Sequence, residues 1–445
     1  MGRYYVETWG CQMNVHDAEK IAGALRMHGY RSAGSPEEAD VIVLNTCAIR
    51  EKAEEKVFDE LGRLREIKER RPGVVLGVCG CVAQQEGEEI FRRAPHVDVV
   101  VGPRATGALP LLVNRLRSGD RSAHHACDVE VRDDSIHFPF DQIHREGLGS
   151  GKAFVTVVEG CNHRCTYCVV ARTRGSEVSR DFDDVLAEVR HLAGRGVREV
   201  EFLGQTVNAY RDGRGRTLGD LLIAAAGVDG IVRLRFTTSH PAQMTDRLLD
   251  AMVRARPVLC PYLHLPVQSG SSRILAAMRR GYDREAYLGR VAALRERIGE
   301  ISLGTDVIVG FPSESEADFE ATLELLREVG FDTVYAFAYS PRPGTRAHDV
   351  PDDVPGKVKL ERLARLQSLQ REIQERRMAR WVGRTVEVLV EGADKRGTGL
   401  LTGRTPESRV VNFTGEAAPG ELHRVRIEVA SAYSLRGVLV PASAA

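Results

Sequence analysis

The sequence predicts an α/β chain in three parts: an N-terminal parallel α/β domain, a central partial (β/α)6 barrel, and a small C-terminal β-barrel. Three observations carry that reading. Short apolar runs alternate with charged, helix-compatible stretches over residues 4–117 and again over 154–338, which is the βαβ rhythm of parallel sheets. The interval 118–148 loses the rhythm and gains charge and histidine. Beyond Trp381 the pattern turns to Val- and Thr-rich runs broken by Gly-bearing turns, which fits a small barrel. A length of 445 residues also exceeds one ordinary core, so two to three domains are expected.

In chain order, the first domain (1–117) takes its strands from 4–8, 41–44, 74–78 and 97–101. Residues 118–148 read as a linker. The central domain (149–378) offers six apolar runs, at 154–158, 199–203, 231–236, 262–267, 303–309 and 333–338. Six units are too few to close an eight-unit barrel, and an open one gathers its site at the carboxyl ends of the strands. Residues 357–380 read as a helix with Leu360, Leu363, Leu366, Leu369 and Ile373 on one side, and with eight Lys/Arg against three Glu. Such a helix suits a bridge between domains. The last domain (379–445) is the small β-barrel.

Lys plus Arg equals Asp plus Glu at 62 each, so global charge argues neither for nor against nucleic acid. No apolar run approaches the length a bilayer requires, and no secretory h-region follows Met1-Gly2-Arg3-Tyr4. A cytoplasmic location with no membrane partner is expected. In a reducing compartment the nine cysteines serve metals or catalysis more often than disulfides.

Three of them lie on one short loop after a strand, as Cys161-Asn162-His163-Arg164-Cys165-Thr166-Tyr167-Cys168. A [4Fe–4S] cubane held by three thiolates keeps one iron free to chelate the amino and carboxylate groups of S-adenosylmethionine (SAM). Zinc is the rival, but a structural zinc site needs a fourth ligand, and His163 is awkwardly placed between two cysteines to serve. Cys11, Cys47 and Cys81 are far apart in sequence, yet each follows the carboxyl end of a different strand, where a parallel sheet gathers its loops. Any one of them is ordinarily a small core residue; all three together point to a shared site. Cys79, on the same strand face as Cys81, is assigned to the core, and Cys127 and Cys260 have no partner at ligand spacing. Gly149-Ser150-Gly151-Lys152 precedes its strand and continues with Ala153, so it is no phosphate loop. His124-His125 reads as a solvated pair.

The CxxxCxxC loop, the three spread cysteines and the terminal barrel together resemble the methylthiotransferase family of radical SAM enzymes, over nearly the whole chain. The resemblance implies that Cys161, Cys165 and Cys168 ligate the SAM-binding cluster and that Cys11, Cys47 and Cys81 hold an auxiliary [4Fe–4S] cluster. It implies that the terminal barrel is a TRAM domain engaging the substrate. Gly10-Cys11-Gln12-Met13-Asn14 with Asp17, the block Val157-Val158-Glu159-Gly160-Cys161, and Gly204-Gln205 with Asn208-Ala209-Tyr210 are similar to the branch that acts on N6-isopentenyladenosine at position 37 of tRNA. The chain departs from residues frequent in the family at Ala171-Arg172, Ser176 and Thr206. The expected chemistry is methylthiolation of C2 with two SAM molecules, one a methyl donor and one a source of the 5′-deoxyadenosyl radical. The partners implied are that tRNA, a low-potential electron donor of flavodoxin or ferredoxin type, and a sulfur source. The alternatives are a methylthiotransferase acting on another tRNA base or a ribosomal protein side chain, and a non-catalytic RNA-binding protein with structural zinc.

Strand ends supply the expected SAM contacts: Gly204 and Gln205 after the second barrel strand, Ser239 and His240 after the third, Gln268 after the fourth, and Asp306 in the fifth. Gly204 would let the backbone approach the methionine moiety, and Tyr167 would lie against the adenine. Arg384, Arg404, Arg409, Arg424 and Arg426 are candidates for RNA phosphates, although 381–445 carries eight basic against seven acidic residues.

Overall fold

A computed structural model of the chain describes residues 2–47, 51–132, 138–145, 149–394 and 396–441. β1 (Arg3–Trp9), β2 (Arg31–Ser32), β3 (Val41–Thr46), β4 (Val75–Gly80), β5 (Val99–Val101) and β6 (Ala126–Asp128) form one parallel sheet in the order β2-β1-β3-β4-β5-β6. β3, β4 and β5 are buried throughout, as expected when helices cover both faces. Alternation divides their side chains between two cores: Ile42, Leu44, Leu76 and Val78 pack on one face with Val57 and Leu61, and Val41, Val43 and Val75 on the other with Ile21, Leu25 and Leu109. β6 corrects the expectation that 118–148 is only a linker. Ala126–Asp128 pairs in parallel with β5, a three-residue edge too short to show a period in sequence.

In the central domain β7 (Lys152–Thr156) is followed by a small antiparallel pair, β8 (Val158–Glu159) with β9 (Val178–Ser179). β10 (Glu199–Leu203), β11 (Arg233–Phe236), β12 (Tyr262–His264), β13 (Ser302–Val309) and β14 (Thr333–Ala338) complete the set. The sheet order is β11-β10-β7 and β12-β13-β14, and the two halves meet where Leu234 N donates to Val258 O at 2.8 Å and Cys260 N to Leu234 O at 2.9 Å. The result is an open arc of six parallel strands in chain order. Its core packs Val155, Phe202, Leu234, Leu263 and Leu303 against helix residues such as Leu186, Val189 and Leu221.

The long helix Gly356–Ala379 bridges this domain to the last one, with Leu363, Leu366, Leu369 and Ile373 of the expected stripe on the core and Leu360 the exception. Leu360 is 65% exposed, while Lys359, Arg362, Leu366, Gln370, Ile373 and Met378 are buried. The buried polar members are satisfied from below: Lys359 by Asp352, Arg362 by Glu314, and Gln370 by the carbonyl of Phe331. β15 (Thr385–Ala393), β16 (Leu401–Arg404), β17 (Val410–Thr414), β18 (Leu422–Ala430) and β19 (Leu435–Leu439) close into a barrel around Val388, Val411, Phe413, Val425 and Ile427. Closure leaves no open edge.

This barrel docks on the amino ends of the central strands. Arg233 Nη1 donates to Arg404 O at 2.7 Å, and Arg235 donates to Pro406 O and Thr405 O at 2.7 and 2.8 Å. Among the described residues no helix is long and apolar enough to cross a membrane.

Candidate functional site

The register of the first sheet brings the spread cysteines together. Trp9 pairs with Thr46 and Thr46 with Gly80, so three strands end level, and the chain delivers Cys11, Cys47 and Cys81 just beyond them. Cys11 caps the helix Gln12–Met27 and Cys81 begins the helix Cys81–Glu86, positions where unpaired backbone N–H groups favour a thiolate. Cys47 stands within hydrogen-bonding reach of both. Its contact, aided by the nearby Arg174 guanidinium, outweighs burial and lowers the Cys81 thiol to about 6 and the Cys11 thiol to about 7. Cys11 Sγ also donates to Asn14 Oδ1 at 3.2 Å. The convergence depends on Gly10: at φ +137° its missing Cβ would stand 2.5 Å from Cys47 Cβ. Cys79 belongs to the opposite core with Val43 and Val75, and burial pushes its thiol up.

The second set lies on the loop after β7 and β8. Gly160 takes a left-handed φ of +77°, and a Cβ there would meet Ser176 O at 2.1 Å. Gly160 N donates to Gln205 Oε1 at 2.6 Å, and Cys161 Sγ lies 3.2 Å from Thr206 Oγ1. His163 stacks on His240, ring centroids 3.8 Å apart. Arg280 Nη1 donates to Cys165 Sγ at 3.2 Å. Burial pushes Cys168 up to about 12 and raises Cys161 as well, so these thiols stay protonated until a metal displaces the proton. No three His, Cys, Asp or Glu side chains among the described residues are set as a cage for one ion; a cubane spreads its thiolates over separate irons.

The first set borders a cavity that the second approaches only through neighbours, Val169 beside Cys168 and Gln205, which accepts from Gly160 N. Cys11, Cys47 and Cys81 line one side, and Thr173, Arg174, Gly204, Gln205 and Thr238 the other. The seam between the domains is buried and ionic: Arg174 pairs with Asp17, Lys20 with Glu159 at 3.0 Å, and His16 Nδ1 lies 2.6 Å from Thr156 Oγ1.

The residues expected to meet SAM divide. Gln205 faces the cavity and holds the cysteine loop. The close approach at Gly204 is made by Val158, whose Cγ1 would lie 2.4 Å from an added Cβ. Ser239 Oγ and His240 Nε2 are buried without a partner among the described residues. Gln268 sits at a left-handed φ of +76° and bridges β13 through its backbone. Asp306 is engaged by His264 Nε2 at 3.1 Å. Tyr167 packs against Ile274, Met278, Phe311 and Tyr339, with its hydroxyl 3.5 Å from Arg280 Nη1. Of the arginines expected to meet phosphate, Arg409 is corrected: it is buried and paired with Asp332. Arg404 donates to Glu391 at 3.0 Å. Arg384, Arg424 and Arg426 are exposed.

Residues 3–102 match the model of uncharacterized protein family UPF0004, 155–326 that of the radical SAM superfamily, and 379–440 that of the TRAM domain. The chain is 48% identical over 445 residues to the tRNA-2-methylthio-N(6)-dimethylallyladenosine synthase of Alkalilimnicola ehrlichii, covering 99% of this chain and 98% of that one. It is 48% identical over 444 residues to the same synthase of Methylococcus capsulatus, covering 98% and 95%.

The chain belongs to the tRNA-2-methylthio-N(6)-dimethylallyladenosine synthase family.

Among solved structures, the radical SAM methyltransferase TsrM from Kitasatospora setae, with cobalamin and a [4Fe–4S] cluster bound, covers 78% of this chain and 77% of its own at 14% identity and a TM-score of 0.58. OxsB, a cobalamin-dependent SAM radical enzyme, covers 83% and 56% at 12% identity and a TM-score of 0.56. At those identities the likeness concerns the fold alone. Within the synthase family fold, sequence reasoning missed Arg174 and Arg280. Neither carries a spacing signal, since the partners that define them are 157 and 115 positions away.

Proposed function

We infer that this chain is a radical SAM tRNA methylthiotransferase that methylthiolates N6-dimethylallyladenosine in tRNA, at C2 of the base in position 37. Identity near one half along the whole length of such synthases carries the reading. Membership of the radical SAM superfamily brings with it a [4Fe–4S] cluster and SAM.

Cys161, Cys165 and Cys168 are the residues that would hold that cluster, and Cys11, Cys47 and Cys81 would hold a second. The donor sets fit: each is three thiols on loops whose glycines, Gly10 and Gly160, have no room for a Cβ. When bound, a three-thiolate cluster with SAM supplies radical chemistry, which acid–base groups cannot provide at an unactivated aromatic C–H. The chain's own residues do the rest. Gln205 and the His163–His240 stack fix the cysteine loop. The buried seam of Asp17, Arg174, Lys20 and Glu159 holds the domain of Cys11, Cys47 and Cys81 against the domain of the Cys161 loop, which favours transfer between held partners over diffusion. Exposed Arg384, Arg424 and Arg426 offer phosphate contacts on the last barrel. A flavodoxin- or ferredoxin-type donor and a sulfur source complete the scheme.

The test is iron and acid-labile sulfide per chain in anaerobically purified protein. Cys161→Ala/Cys165→Ala/Cys168→Ala and Cys11→Ala/Cys47→Ala/Cys81→Ala should each retain about half of the wild-type content. Full content in the N-terminal triple variant would remove the second cluster from the scheme. Mass spectrometry of tRNA from cells lacking the gene should show N6-dimethylallyladenosine without its 2-methylthio group; unaltered methylthiolation would remove the substrate assignment.

A further inference from the structure

Arg280 sits deep in the central domain, at the base of the Cys161–Cys168 loop. It follows Arg279, whose left-handed φ of +55° turns the chain after the helix Ser272–Ala277. The residue is 6% exposed, and its guanidinium is fixed on every side. Nη1 donates to Cys165 Sγ at 3.2 Å, Nη2 to Pro266 O at 3.2 Å, and Nε to the Tyr282 hydroxyl at 2.9 Å. That hydroxyl donates in turn to Val267 O at 2.9 Å.

Its partners are a sulfur, a carbonyl and phenols. Among the described residues no carboxylate forms an ion pair with Arg280, whereas Arg174, at the other cysteine set, is paired with Asp17. A buried guanidinium without a counter-charge is costly, and the group placed to offset it is the Cys165 sulfur once that sulfur is a thiolate. The charge is permanent and its geometry rigid, so its field at the loop does not depend on a flexible side chain finding the site.

We propose that Arg280 is a positioning residue that acts through Cys165: its N–H···S hydrogen bond and fixed positive charge raise the reduction potential at the Cys161/Cys165/Cys168 loop. The proposal rests on the reading that these three cysteines hold a [4Fe–4S] cluster. The physical reason is differential stabilisation. Accepting one electron makes the site more negative, and a donor hydrogen bond and a nearby cation stabilise the more negative state more. The balance is one electron gained at the loop and one lost by a ferredoxin- or flavodoxin-class donor, or by dithionite in vitro, with no bond or proton changing hands. Arg280 thereby brings the loop within reach of a biological donor.

The test uses the full-length Cys11→Ala/Cys47→Ala/Cys81→Ala protein, so that bound iron belongs to one site, with Arg280→Gln and Arg280→Lys added. Iron and labile sulfide are measured first. The midpoint potential then follows from an EPR-monitored titration with dithionite and mediators. Arg280→Gln should shift the reduced-to-oxidised ratio about tenfold toward the oxidised form, about 59 mV lower for one electron, and Arg280→Lys should recover most of that shift. Arg280→Gln with full iron and an unchanged potential overturns the proposal.

Should Arg280→Gln lose its iron, Tyr282→Phe carries the test, because it keeps the cation but removes the hydroxyl that seats Nε. Its potential should fall in the same direction by a smaller amount, and an unchanged value overturns the proposal. Absence of iron in the parent triple variant is a different result: it refutes the cluster assignment itself.

Discussion

Charge inside this molecule is mostly buried in pairs, and two buried histidines, His16 and His240, add to its response to acid. His16 is fully buried; burial first, then Lys20, Arg145, Arg180 and Arg174, hold its imidazole well below 6.5. His240 is pushed down to about 2 by burial, Arg280 and His163. Both stay neutral when folded, while in the unfolded chain each takes a proton near 6.5. The unfolded state therefore binds more protons below that pH. Stability is complete above it and is lost as pH falls, by about 1.4 kcal/mol per pH unit for each histidine. Urea midpoints should drop between pH 7.5 and 5.5, and His16→Gln should flatten that dependence; parallel slopes for variant and wild type would contradict it. Asp17→Asn should be harsher at every pH, since an unpaired buried Arg174 costs about 3–5 kcal/mol. A shift of its urea midpoint by much less would mean that Arg174 finds another partner. At this scale the convergence of Cys11, Cys47 and Cys81 was legible, because position after a strand is a local pattern. Arg174 and Arg280 were not, because only the folded chain supplies Asp17 and Cys165.

Between elements, the decisive quantity is where strands stop. β1, β3 and β4 end in register, and that alignment, more than any local geometry, brings Cys11, Cys47 and Cys81 together. Gly10 is where the alignment is most exposed to substitution. Gly10→Ala should fold yet retain about half the wild-type iron, because its Cβ would displace Cys47; full iron in that variant would show that the loop relaxes freely. The apolar runs announced the strands of both parallel domains, since buried parallel strands read as continuous Val, Ile and Leu. β6 was hidden because three residues at a sheet edge carry no period. On Gly356–Ala379 the leucine stripe was legible except at Leu360, where Lys359 and Arg362 are buried instead, held by carboxylates that lie far off in sequence or outside the helix.

For the whole molecule, the last barrel is locked to the central domain chiefly by arginines. Arg233 and Arg235 cap carbonyls of the barrel from below, and Arg409 returns the contact to Asp332, which also receives Arg377. Asp332→Asn should loosen this joint by about 3–5 kcal/mol, because the buried Arg409 loses its counter-charge and the half-buried Arg377 a partner. Limited proteolysis should then cut near 380–384 far faster than in the wild type; equal rates would show that the carbonyl contacts suffice. None of this docking could be read from sequence, since Arg409 looks like any surface arginine on a β-rich segment. Its consequence is one of reach. The barrel grips the amino ends of the central strands, whereas the Cys161 loop follows the carboxyl ends of β7 and β8, and β13 alone, Ser302–Val309, spans roughly 26 Å at 3.3 Å per residue. A single RNA touching both the exposed Arg384 and Arg424 of the barrel and the Cys161 loop would have to run along the length of the central strands.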